Sequence, residues 1–403
     1  MRSRVGLLAL VFVTAASGAA AQPDPVAAPP EEHQAEGSRT DRNAFITRLR
    51  HWADGADLLG RINGDTHGWY PRFGGIRRGA GLNGGPGLRG DVTNDAPFFD
   101  LSGAVSIKGY KAIDLRARWL QTIDRRFSLW TEFRYEDFPQ EDFYGIGMSS
   151  TQETRTSYDF DSAGVRVRGL FRPRPWARLE LALGFMQPDI GSGTDDAYPS
   201  TEDLFTDTTA PGLFEQPDFL HTTAILDIDY RDTPGNTSTG GFYHLSYAIW
   251  NDVSLDEFNF HRFDMQLVQF LPLTRDNVHV LSGRVGASTV RSSAGSRVPF
   301  YFLAYAGGMD TIRSFHEYRF KDENAMWMSA EYKWRPRPAL SVAVFADAGH
   351  VSDDWNALAL NRLRAGYGTG VGFHAANQTI VRVDVASGGG EGWQLFIKVR
   401  PAF

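Results

Sequence analysis

The strongest constraint in this sequence is a two-residue alternation that recurs along most of its length. In 113–119, Ile113, Leu115, Ala117 and Trp119 alternate with Asp114, Arg116 and Arg118. Phe127, Leu129, Thr131, Phe133 and Tyr135 interleave with Ser128, Trp130, Glu132 and Arg134. The same beat places Ala224, Leu226, Ile228 and Tyr230 against Asp227, Asp229 and Arg231. It returns in Phe263, Met265 and Leu267 against Arg262, Asp264 and Gln266, and in Val381, Val383 and Val385 against Arg382 and Asp384. Residues two apart share a face of a strand, so each segment presents one apolar and one ionic side. A soluble sandwich also alternates, with its apolar side on a second sheet. Strand number and turn lengths separate the two architectures. About sixteen strands are expected, starting near Thr66, Gly75, Pro97, Lys111, Arg126, Asp159, Pro175, Asp218, Gly240, Phe258, Asn277, Asn324, Ala339, Leu363, Asn377 and Gly392; an even number suits a bacterial outer-membrane barrel. Brief Pro-containing connections at 172–174, 271–276 and 335–338 alternate with long polar ones at 187–216, 292–323 and 350–362. In such barrels the short turns are periplasmic and the long loops extracellular.

Composition narrows the compartment. With 41 Lys+Arg against 48 Asp+Glu the net charge is −7, which gives no reason to expect nucleic-acid binding. At 13% aromatic residues the chain is no disordered polymer. Residues 1–21 read as a secretory signal: Arg2 and Arg4, an apolar core over 5–16, then Ala19-Ala20-Ala21. That core is shorter than the roughly 20 residues needed to span a bilayer, and no other apolar run approaches that length. Any membrane span must therefore be made of strands. Residues 22–63 read as a periplasmic linker rich in Pro, Ala and Glu. Within it Phe45, Ile46, Leu49, Trp52 and Leu59 recur at helical spacing, which predicts a short amphipathic helix. It would lie on the membrane, cover the periplasmic mouth, or simply pack. The barrel is expected over 64–403. The absence of Cys excludes disulfides, thiol catalysis and a lipidated N-terminal Cys.

Candidate chemistry is thin. The ten His are dispersed, without His-x3-His or Glu-x2-His spacing, and no Gly-x-Ser-x-Gly elbow occurs. The acidic segments 194–198 and 353–355 could hold Ca²⁺, but exposed acidic loops are usually just solvated. The Gly runs at 84–87 and 388–390 precede no helix and read as turns. No catalytic residue, cofactor or metal site is expected, and the chain is not read as an enzyme.

One stretch, 306–351, organises the rest. A Gly-rich segment ends in Arg313 and is followed by two strands. On the first, Trp327, Ser329, Glu331 and Lys333 share the face opposite Met326, Met328, Tyr332 and Trp334. On the second, Ser341, Phe345 and Asp347 oppose Leu340, Val342 and Val344. Glu331 and Asp347 thus point away from the apolar side, and Arg313 is their natural cation. An Arg fork engages a carboxylate bidentately and fixes geometry better than Lys does. The expectation is a loop anchored in the lumen by Arg313 through Asp347, with Glu331 in support.

At these residues the sequence resembles the BamA/TamA outer-membrane assembly superfamily (bacterial surface antigen type). The segment GGMDTIRSF, with Gly307, Gly308, Arg313 and Phe315, is similar to that family's long-loop signature. FADAG, from Phe345 to Gly349, is similar to the strand motif that receives the Arg, and AEYKW, with Glu331, matches the strand between them. Gly usually follows the Arg in the family; here Ser314 does. Asp142 to Gly147 and Asp227 to Tyr247 resemble further family turns. The final strand places Trp393, Leu395, Ile397 and Val399 on one face and ends in Phe403, which the resemblance implies is the C-terminal insertion signal. The resemblance implies an all-β transmembrane antiparallel β-barrel with a long loop folded into its lumen, in the bacterial outer membrane, inserting or translocating proteins or lipids through a weakly paired first-to-last seam. Gly74, Gly75, Gly79, Gly81, Gly84, Gly85, Gly87 and Gly90 are expected to make the first edge weak and poorly packed. Residues 22–63 leave no room for a POTRA module. Expected partners are outer-membrane lipids and lipopolysaccharide, client proteins, and a periplasmic partner or a second copy of the chain. The competing reading is a passive pore or structural barrel that keeps the family scaffold without client capture. A barrel-embedded lipid hydrolase lacks a Ser/His arrangement.

Overall fold

The structure is a computed structural model and describes residues 67–399 apart from 78, 94–95, 123, 358–361 and 376–377. The expected signal sequence, linker and helix lie outside the described residues, as does Phe403. The strands are β1 (Gly68–Phe73), β2 (Asn83–Thr93), β3 (Ala96–Ser106), β4 (Lys111–Gln121), β5 (Phe127–Phe143), β6 (Thr156–Arg174), β7 (Ala177–Ser192), β8 (Phe219–Asp229) and β9 (Gly240–Asp252). They continue as β10 (Phe260–Pro272), β11 (His279–Ser292), β12 (Ala304–Ala306), β13 (Phe320–Asp322), β14 (Asn324–Arg337), β15 (Leu340–Ser352), β16 (Arg364–Ala375), β17 (Gln378–Ser387) and β18 (Gln394–Val399). Sixteen of them form one antiparallel sheet in chain order. The other two, β12 and β13, pair with each other inside the loop joining β11 to β14.

The sheet is a β-barrel with its apolar alternation turned outward. Trp119 is 58% exposed, Leu181 63% and Leu395 62%. Ile113, Phe133, Val167, Val285 and Val344 are exposed with them. In water so many exposed apolar side chains would drive aggregation; in a bilayer they form the required belt. Among the described residues no helix is long and apolar enough to cross a membrane, so the strands do the crossing. Inside, charges answer one another rung by rung. Arg72 meets Asp114 at 2.6 Å and Arg168 meets Glu180 at 3.1 Å.

The rule of apolar outside and ionic inside breaks in the extracellular half. There the inward positions are Phe138, Tyr158, Phe160, Phe219 and Phe260, which pack with Leu213, Val298, Phe300 and Tyr301 of two long loops. The core of the molecule is therefore a loop-filled upper lumen. Loops that fold inward must bury their own apolar residues against something, and these strand ends supply the partner surface.

Most strands start within three residues of expectation; β2 does not. It begins at Asn83, because Gly74, Gly75, Gly79 and Gly81 have φ of 72°, 79°, 83° and 74° and form a loop. That loop is anchored: Ile76 and Ala80 are buried, and Arg77 pairs with Glu141 at 2.6 Å. Nor are the glycines of β2 loosely packed. A Cβ on Gly87 would sit 2.1 Å from the Tyr70 ring, and one on Gly85 2.1 Å from the Gly103 carbonyl oxygen. What limits the ladder at this edge is length and proline. β1 has only six residues, and Pro71 faces Pro86 in its ladder, so neither nitrogen can donate there.

Candidate functional site

The loop between β11 and β14 descends into the lumen because its turn is built for it. Gly307 and Gly308 have φ of 115° and 97°, a region side chains rarely adopt. The Gly308 N–H donates to the carbonyls of Ile312 and Phe315 at 3.1 and 3.2 Å, and the Gly307 N–H to Thr311 Oγ1 at 2.7 Å. The closed turn projects Arg313 at the wall of β14 and β15.

There every nitrogen of Arg313 is engaged. Nε and the backbone N–H donate to Asp347 Oδ2 at 2.8 and 3.1 Å, and Nη2 donates to Asp347 Oδ1 at 2.8 Å. Nη1 donates to Glu331 Oε2 at 3.1 Å, and Nη2 also reaches Ser329 Oγ at 3.0 Å. The guanidinium lies 3.3 Å from the centroid of the Phe345 ring, a cation–π stack. Arg313 and Asp347 are 5% and 2% exposed, so the pairing happens away from water. The expected trio of Arg313, Glu331 and Asp347 is thus brought together. Phe315 is buried, packed edge-on against Phe320 and wedged over Gly389. Gly349 leaves room for Ile312, whose Cδ1 would be 2.8 Å from an added Cβ. At the other end of the expectation, Trp393 is exposed just before β18.

The structure adds partners that the sequence reading missed. Arg382 on β17 donates to both oxygens of Glu331 at 2.8 and 2.7 Å and to Asp384 at 2.8 Å. Asp384 lies 3.5 Å from Arg313. The cluster therefore holds Arg313 and Arg382 against Glu331, Asp347 and Asp384. Between β15 and β17, β16 presents Gly366, Gly368, Gly370 and Gly372 inward. Added Cβ atoms there would sit 1.9 Å from Ser314 Oγ, 2.4 Å from the Phe345 ring, 2.0 Å from Asp384 Oδ1 and 2.6 Å from Ser341 Oγ. The glycine stripe is the socket for the loop and its receptor ring. It also explains how Ser314 is tolerated after the Arg: Gly366 provides the space. The signal was present as glycine at period two in YGTGVGF.

Further contacts hold the loop across the barrel. Arg319 donates to Glu391 at 2.5 Å and to the Ser150 hydroxyl and carbonyl at 2.9 and 2.8 Å. Lys321 is enclosed by Phe143, Tyr158, Phe300 and Tyr318. Burial, reinforced by Arg77 and opposed by Glu141, draws its ammonium down to about 7. The periplasmic turn between β8 and β9 also folds inward. Its Thr237 carbonyl accepts from Lys333 Nζ at 2.7 Å and its Gly235 carbonyl from Thr379 at 2.7 Å. On the outer face, Asp137, Asp159 and Asp161 bring carboxylate oxygens within 4.8 Å of one another, beside Lys111.

A family model described as the Omp85 superfamily domain matches residues 104–390. No curated protein matches the sequence. Among solved structures, BamA from Haemophilus ducreyi lacking POTRA domains 1–3 is 15% identical with a TM-score of 0.62; the match covers 82% of this chain and 69% of that one. CdiB from Acinetobacter baumannii is 11% identical with a TM-score of 0.47, covering 78% of this chain and 56% of that one. CdiB from Escherichia coli is 12% identical with a TM-score of 0.48, covering 87% and 68%. The BamA likeness is one of fold.

Proposed function

The chain belongs to the Omp85 superfamily, and from that premise we propose that it inserts or translocates proteins or lipids at the outer membrane through a seam between its first and last strands. One observation carries the reading. The sheet begins with β1, which is only six residues long, while β5 and β6 in the wall have 17 and 19, and it ends with β18, described over Gln394–Val399. A seam built on so short a first strand can form few ladder bonds and opens at low cost, especially where Pro71 faces Pro86 beside it. The long walls elsewhere keep the barrel intact while the seam parts.

On this reading Arg313 is the latch that keeps the loop seated in the lumen, so that an opening seam does not become an open pore. Phe345, the β16 glycines and Arg382 shape its receptor. The apolar belt faces outer-membrane lipid, the long-loop rim faces lipopolysaccharide, and the client passes the seam; a periplasmic partner or a second copy of the chain would deliver it. No catalytic step is required. Depletion of the protein followed by quantification of the other outer-membrane proteins and of lipopolysaccharide tests this. A fall in either at constant synthesis supports the role. Unchanged levels, with purified barrel conducting steadily in planar bilayers, support the passive pore instead.

A further inference from the structure

Below the Arg313 cluster the lumen keeps a cavity of about 600 Å³. Met309 and Thr311 of the descending loop form its roof, and Gly235 and Thr237 of the β8–β9 turn form its floor. The hydrogen bonds from Lys333 and Thr379 tie that floor to β14 and β17.

The barrel wall partners its inward arginines. Arg72 has Asp114 at 2.6 Å, Arg166 has Glu132 at 2.6 Å, and Arg262 has Asp264 at 2.8 Å. Arg284 on β11 has no such carboxylate. It lines the cavity, and among the described residues no carboxylate forms an ion pair with it and no acceptor takes a hydrogen bond from it. The register shows why. Its rung neighbours are Val268 on β10, which is apolar, and Ser329 on β14, whose hydroxyl already serves Arg313. Asp347, one strand further along the same rung, is engaged on both oxygens by Arg313. A cation enclosed without a partner is costly and calls for a counter-charge. The whole cavity leans the same way: six cationic side chains line it against three carboxylates. Such an excess favours a multiply charged oxyanion over a single carboxylate, and an Arg fork matches phosphate oxygens bidentately.

We propose that this cavity binds a phosphate-type oxyanion through the guanidinium of Arg284. The cavity has room for a free phosphate or for the phosphate of a lipid headgroup. The site shares a rung with Ser329 and Asp347, so its occupant sits directly beneath the loop's anchor.

The test uses the purified full chain folded in detergent, with its unfolding midpoint followed in sodium phosphate and in sodium chloride of equal ionic strength and pH. Wild type gains a saturable rise in midpoint with phosphate. At about 100 times the dissociation constant, ligand linkage makes the folded state about 100-fold more favoured. Arg284→Gln loses this rise, yet without phosphate it melts at or above wild type, because the uncompensated charge is gone. That reversal distinguishes lost binding from damaged folding. Should Arg284→Gln not fold, Arg284→Lys keeps the charge without the fork and shows a reduced rise. A parallel titration uses dihexanoyl phosphatidylglycerol. A rise with inorganic phosphate assigns the free ion, and a rise with the phospholipid alone assigns the headgroup. No rise with either probe, or an equal rise in Arg284→Gln, overturns the proposal. The measurement involves no client, so its outcome is independent of the insertion reading.

Discussion

Replacing Arg313 with Ala removes four side-chain hydrogen bonds to Asp347, Glu331 and Ser329 and the stack on Phe345, and among the described residues leaves Asp347 with only the backbone N–H of residue 313 as a donor. Among the described residues it also leaves Arg382 as the remaining ion-pair partner of Glu331 and Asp384. Breaking a buried pair by removing one member typically costs about 3–5 kcal/mol. Every 1.4 kcal/mol is about tenfold, so the unseated loop gains a population of roughly 10²- to 10⁴-fold. The wall itself should survive, because its ladders do not pass through Arg313. Limited proteolysis of intact cells reads this directly, as new cleavage within 293–323 while the heat-modifiable barrel remains. Arg313→Ala combined with Asp347→Ala should cost less than the two changes summed, since each removes the same interaction. Equal cleavage of the loop in wild type and Arg313→Ala would refute the latch, and strict additivity would refute the pairing as its cause.

Other predictions concern the socket and the loop's surroundings. Gly368→Ala puts a methyl 2.4 Å from the Phe345 ring and 2.3 Å from the Val385 carbonyl; it should cost about 1–3 kcal/mol, raise hydrogen exchange in 306–316, and leave β5 to β7 protected. Burial, aided by repulsion from Arg155 and Arg319 and opposed by attraction to Glu391 and Asp142, holds the His316 imidazole below its usual value. Its protonation is therefore harder in the folded loop. The loop should lose stability as pH falls below about 6.5 toward that lowered value. Hydrogen exchange of 312–320 should rise between pH 7.5 and pH 5, and His316→Gln should remove that part of the rise.

The alternation made most of the wall legible, because burial in lipid on one side and charge on the other imposes a strict period of two. The pairing of Arg313 with Asp347 and Glu331 was legible for the same reason: side-chain parity placed both acids on the inward face. Parity says nothing about which rung a loop will meet. Arg382 and Asp384 were read only as the polar side of a strand, although they complete the cluster. Phe138, Phe160 and Phe260 sit on inward positions that parity alone would make ionic, because loops distant in sequence fold down to cover them. The glycines before Asn83 were mistaken for strand because spacing carries no φ, and their positive values make a loop of that stretch.

The claim on which the rest depends is that the seam between β1 and β18 opens in use, and the absence of cysteine gives a clean background for testing it. Pairs of cysteines, one within Gly68–Phe73 and one within Gln394–Val399, can be introduced into the full chain in cells depleted of the wild-type protein. The account predicts that pairs which cross-link fail to restore outer-membrane protein or lipopolysaccharide levels until reductant is added, while each single cysteine restores them. Full restoration by a barrel cross-linked at the seam would contradict it.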